Sequence, residues 1–162
     1  PYFRGETNST MTNHQAFFLT EVPTLISDLK PTTARKWGTM SATKMLDHLL
    51  AGTRLMLSKR EVSLTVDEEK LPRLKLFLMS DKPFMEGAPK PALYNEYETP
   101  EPEDFEGTKT AFLAELETFD FVTSTETDFW SSHPTFGKLS AEETRQLQFK
   151  HIRHHFQQFG LM

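Results

Sequence analysis

The stretch Phe149-Lys150-His151-Ile152-Arg153-His154-His155-Phe156-Gln157-Gln158-Phe159 sets three histidines within five residues, near the end of a chain of 162. A helix turns by about 100° per residue, so residues four apart stack on one face. Phe149, Ile152, Phe156 and Phe159 then form an apolar stripe, the mark of a helix packed in a core. On the same wheel His155 borders the stripe, His151 lies one turn earlier on the same edge, and His154 points roughly the other way, towards solvent. Two imidazoles at i and i+4 on an inward edge let one helix offer two ligands to one metal ion. Just upstream, Ser140-Ala141-Glu142-Glu143 has the serine-to-glutamate spacing of a capping box, which sets the start of this helix.

Working outward, Phe18, Val22, Leu25 and Leu29 recur at helical spacing from Asn13 onward, and Pro23 is expected to kink or restart that helix. Lys30-Pro31 ends it. Trp37-Gly38-Thr39-Met40-Ser41 reads as a turn with Ser41 as N-cap of a second helix over about 42–59. Met45, Leu49, Gly52, Leu55 and Met56 share one face of that helix. His48 lies inside this face, and Gly52 leaves room beside its ring. A short helix over 68–79 carries Pro72 in its first turn. A third long helix over about 105–119 presents Phe112, Leu116 and Phe119, followed by a polar linker at 123–127 and a turn-rich loop at 132–138.

Residues 81–104 differ in kind. They hold Pro83, Pro89, Pro91, Pro100 and Pro102 with few aliphatic side chains, which excludes a regular element. A loop of that length in a compact domain is disordered or functional. Phe84, Met85, Tyr94 and Tyr97 argue that part of it lies on the body, over a pocket. The expected architecture is all-α, a four-helix bundle with one long proline-rich crossover, formed by a single domain over 13–162 behind a flexible tail at 1–12.

Composition narrows the chemistry. The net charge of −5 comes without a basic patch, so nucleic acid is not expected as a partner. The chain has no cysteine, which excludes disulfides, a thiolate nucleophile and sulfur-ligated metal sites. A bound metal must therefore be held by histidine and carboxylate, which favours zinc, nickel or iron. No apolar run is long enough to span a membrane. A cytoplasmic location is the expectation. Pro1 stands where an initiator methionine would, so a removed leader and added residues both fit.

The candidate constellation is His48 with His151 and His155. Three neutral imidazoles leave a position open for water or substrate, as in catalytic metal sites. Against this stands a plainer reading, in which His48 is a core histidine bonded to a backbone carbonyl and the last helix is simply buried. His154 is the alternative ligand if the helix is rotated. His133 is either a second-shell base or substrate contact, and so a catalytic candidate, or part of the turn that His133-Pro134 begins. Asp47 faces away from His48, and Gln158 has no assigned role.

Trp37-Gly38-x-Met40-Ser41, Met45-x-x-His48-Leu49, His133-Pro134-x-Phe136-Gly137 and His151-x-x-His154-His155-x-x-Gln158-Phe159-Gly160 together resemble the DUF1569 group of the DinB/YfiT-like superfamily. The resemblance runs from about Phe18 to Leu161, and residues 81–104 carry none of it. It implies a four-helix bundle whose divalent metal, often nickel or zinc, is bound by one histidine of the second helix and an H-x-x-x-H pair of the last. These positions are His48, His151 and His155. It also implies frequent homodimers and, in some members, transferase or isomerase chemistry with low-molecular-weight thiols. The resulting expectation is a metal-dependent enzyme that activates water or such a thiol for attack on a small electrophile. The rival is a non-catalytic metal- or small-molecule-binding bundle, a dimeric stress-related protein.

Overall fold

The computed structural model describes residues 13–162; the tail expected at 1–12 lies outside the described residues. The chain enters through helical backbone that runs over the π-helical turn Phe17–Glu21 into α1 (Val22–Ile26). The backbone stays helical through Pro23, and the α-helical stretch begins afresh there, with the proline as its second residue. Proline lacks an N–H and clashes with the carbonyl four residues back. The widened turn just before it, in which the Val22 N–H donates to the Phe17 carbonyl, absorbs that defect.

α2 (Ala42–Leu57) begins as expected, with Ser41 Oγ accepting from the Lys44 N–H. α3 (Leu71–Met79) follows a short 3-10 turn at Glu68–Lys70, and Pro72 stands in its first turn. Its C-terminal carbonyls are capped from a distance. Lys150 Nζ donates to the carbonyls of Phe77, Leu78 and Ser80, a favourable place for a cation.

α4 (Phe105–Thr125) runs six residues past the expected end at 119, through most of the presumed linker. The reason is burial: Asp120 and Thr123 face inward towards Arg145, whose side chain is fully buried. Arg145 Nη2 donates to Asp120 Oδ1 at 2.7 Å, and Nη1 donates to Thr123 Oγ1 at 2.8 Å. Polar residues at 120 and 123 therefore extend the helix instead of ending it.

The turn-rich loop is also corrected. Trp130–His133 (β1) and Gly137–Ser140 (β2) pair antiparallel, with His133 opposite Gly137 and Trp130 opposite Ser140. The fold is thus mostly helical with a small two-stranded sheet. Ser140 then opens α5 (Ala141–Gln158) with the full capping box: its Oγ accepts from the Glu143 N–H, and the Glu143 carboxylate accepts from the Ser140 N–H.

α2 lies chiefly along α4, while α5 touches α2, α3, α4 and the hairpin. Phe18, Leu46, Phe112, Phe119, Ile152 and Phe156 fill the core between them. Residues 81–104 cross this body, and they are not wholly irregular: Ala92–Glu96 forms a 3-10 helix with Tyr94 buried beneath it.

Removing one member of a buried ion pair deprives the remaining buried charge of its counter-charge, at a cost of about 3–5 kcal/mol. Asp120→Ala is accordingly expected to lose about that much unfolding free energy in urea titrations, and a loss below about 1 kcal/mol would contradict the role given to the pair.

Candidate metal centre

α2 and α5 face each other where His48, His151 and His155 meet. All three are buried, and one ligand nitrogen from each lies within 4.8 Å of the others. Their ring centroids form a nearly equilateral triangle with sides of 4.8, 4.8 and 4.9 Å. Among the described residues no further histidine or carboxylate joins the group. His151 and His155 come from the i, i+4 edge of α5, as the helical wheel requires, and His48 comes from the inner face of α2.

Two of the rings are gripped from behind. His48 Nδ1 donates to Glu98 Oε1 at 2.8 Å, and His155 Nδ1 donates to Gln158 Oε1 at 2.8 Å. Each bond fixes the tautomer and leaves Nε2 with a free lone pair. His48 Nε2 lies 2.9 Å from His151 Nε2. His151 Nδ1 is buried without a hydrogen-bond partner among the described residues. Its ring lies over Gly52, where an added Cβ would come within 3.1 Å of His151 Cε1 and 3.1 Å of Tyr94 Cε1. Gly52 is therefore a close-approach position rather than a weak point in the helix.

Glu98 belongs to the proline-rich segment, which carries none of the histidine-bearing motifs, and sequence reasoning missed it. Burial pushes its carboxyl up, but hydrogen bonds from His48 and Lys90 outweigh this and hold it at about 2. Asp47, though turned away from His48, has a part in this: its Oδ2 accepts the Thr99 N–H at 2.8 Å and pins the residue next to Glu98. The signal in the sequence was an acidic residue between two tyrosines and Thr99-Pro100, which reads equally well as solvated loop.

Gln158 also has a role. Its Nε2 donates to the Trp37 carbonyl at 3.0 Å, which turns Oε1 towards His155. The contact needs a glycine at 38, where φ is 77° and a Cβ would stand 2.7 Å from Gln158 Nε2. The Trp37-Gly38 turn thus serves the last helix more than the second.

His154 does not join the cluster and is not a surface residue. It is half-buried, with its ring 5.7 Å from Trp37 and 6.3 Å from Phe84, beside the triad. His133 ends β1, buried, and its Nδ1 accepts the Thr135 N–H at 3.1 Å, which is a turn contact. Its ring still faces Tyr94 across 6.4 Å. A cavity of about 320 Å³ opens onto the triad and is also lined by His133, His154 and the segment from Phe84 to Pro91.

Burial lowers the basicity of these rings. Desolvation takes His155 to about 3 and His133 to about 4, and it holds His151 well below the ordinary histidine range. His151 and His155 are consequently neutral at physiological pH, the form that binds metal.

Comparison with protein-family models, with curated proteins and with solved structures gives no significant match. The centre is therefore read from its own geometry.

Two outcomes are expected. Second-shell partners typically change metal affinity by about 10–100-fold. Glu98→Gln and Gln158→Ala should each weaken zinc binding by that order in calorimetric titration, and unchanged affinity in both would contradict the orienting roles. The second concerns acid. An unfolded chain protonates its histidines near 6.5, whereas His133 and His155 stay neutral in the fold, so the unfolded state binds more protons and stability rises with pH. Metal-stripped protein should lose melting temperature as pH falls from about 6.5 to about 4. A flat profile over that window would contradict the neutral burial.

Proposed function

We propose that this chain is a metal-dependent enzyme of the DinB-like kind, a four-helix bundle in which His48, His151 and His155 hold one divalent ion, nickel or zinc in first place and iron after them. The reading is carried by one observation: three buried imidazoles converge, and two of them are oriented by hydrogen bonds on their outward nitrogens. A core built only for packing gains nothing from so specific a tautomer arrangement.

A divalent ion bound there supplies Lewis acidity, lowering the pKa of a water or low-molecular-weight thiol so that a nucleophile is available near neutral pH. The chain's own residues do the rest. Glu98 and Gln158 keep the Nδ1 protons of His48 and His155 directed outward. The wall formed by Phe84, Tyr94 and Phe136 limits water around the triad, which strengthens electrostatic interactions inside it. With three protein ligands, the cavity side of the centre stays free for a small electrophile. His133 and His154 flank that space: with its Nδ1 lone pair engaged by the Thr135 N–H, neutral His133 can offer Nε2–H to a seated substrate, and His154 can accept a proton.

One observation favours the rival, a non-catalytic bundle. His48 Nε2 and His151 Nε2 stand 2.9 Å apart and can satisfy each other by sharing a proton. On that reading the triad is a polar plug in the core.

Metal content separates the two. Mass spectrometry of untagged protein should find close to one nickel, zinc or iron per chain, lost in both His48→Ala and His151→Ala. Protein that is purified without metal and fails to take up added nickel or zinc would overturn the enzyme reading.

A further inference from the structure

The cavity above the triad has a chemical character that narrows its occupant. Its walls are Met40, Phe77, Phe84, Met85, Phe136 and Leu147, with Tyr94 stacked on His48. They come from five separate parts of the chain: the turn before α2, the end of α3, the proline-rich segment, the hairpin tip and α5. The one cationic side chain on the rim, Lys90, has its ammonium bonded to Glu98. Glu98 in turn spends its other oxygen on His48. No formal charge among the described lining residues is left to meet a charged ligand.

Size sets a second limit. At about 320 Å³ the space is roughly twice the ~150 Å³ that holds a single benzene ring. It suits a body of one or two rings and excludes a long peptide or sugar conjugate. A multiply charged thiol would leave its carboxylates or ammonium groups facing phenylalanine and methionine, where burying an unpaired charge is strongly unfavourable. Apolar pockets with a few convergent polar groups bind ligands by burying the apolar body and orienting one functional atom.

We infer that the cavity takes a small, uncharged, aromatic or otherwise apolar molecule whose single nitrogen, oxygen or sulfur donor points at the histidine triad. The apolar body follows from the walls alone, and only the donor's destination rests on the metal reading above. Within that reading the cavity holds the electrophile, and any thiol enters as a small partner rather than as the recognised body. The segment from Phe84 to Pro91 is then the specificity wall of the site. Met85, largely exposed, stands at its mouth.

The test uses full-length protein labelled with carbon-13 at the methionine methyls, in zinc-loaded and metal-free forms, titrated with imidazole and with 4-phenylimidazole. Met40 and Met85 line the cavity, while Met45 and Met56 are core residues away from it. A buried phenyl group is expected to tighten binding at least about tenfold over imidazole. The Met40 and Met85 methyls should shift and those of Met45 and Met56 should not. Met85→Asp, at a position exposed enough to leave folding intact, should weaken 4-phenylimidazole at least about threefold and leave imidazole unchanged. Phe84→Asp should do the same more strongly. Equal affinities for the two compounds, or binding that leaves Met40 and Met85 unmoved, would overturn the inference. If zinc tightens neither compound while the phenyl preference and the Met40 and Met85 shifts persist, the cavity assignment stands and the metal reading falls.

Discussion

Three imidazoles pressed together in an apolar core are costly unless most of their ring nitrogens are given partners. A buried polar atom without a partner costs on the order of 1–3 kcal/mol, and a buried charge costs more. Much of this molecule can be understood as the answer to that constraint. Glu98 takes the outward proton of His48 and Gln158 takes that of His155. Asp47 holds the backbone next to Glu98, and the Trp37 carbonyl holds the amide of Gln158. Gly52 and Gly38 leave the space in which a ring and an amide can approach the backbone. Of the three rings only His151 keeps an Nδ1 with no partner among the described residues, so its position depends on packing against α2 and Tyr94.

The same constraint settles the electrostatics. Desolvation keeps His151 and His155 neutral, with lone pairs available, whereas solvent-exposed rings would protonate on mild acidification. Glu98 remains charged in spite of its burial because His48 and Lys90 both bond to it. The second buried charge network, Arg145 with Asp120 and Thr123, is a separate device joining α5 to α4. It supports the helix that carries His151 and His155, one to three turns away from them, and shares no atom with the centre.

What the sequence made legible was what period and spacing encode. The helix faces of 42–57 and 141–158, the cap at Ser140 and the pairing of His151 with His155 on one edge follow from local pattern, while the meeting of His48 with them was suggested by the resemblance and is brought about by tertiary packing. What it hid depends on tertiary contacts. Asp120 and Thr123 look like linker polarity until Arg145 is seen against them. Trp130–His133 and Gly137–Ser140 are four-residue strands, two serines long in the middle of one, too short for alternation to show. Glu98 lies 50 residues from the histidine it orients, in a segment with no helical or strand period. His154 is drawn inward by Trp37 and Phe84, neither of which a helical wheel contains.

The central claim is that the three imidazoles act on one ion together. X-ray absorption fine structure at the zinc edge of the loaded protein addresses it most directly, because imidazole gives a distinctive multiple-scattering pattern and its ligands can be counted. The account predicts three imidazole nitrogens at the ordinary zinc–nitrogen distance of about 2.0–2.1 Å, completed by a water oxygen that is not from the protein. Zinc coordinated by oxygen alone, or by a single imidazole at a surface histidine, would contradict it.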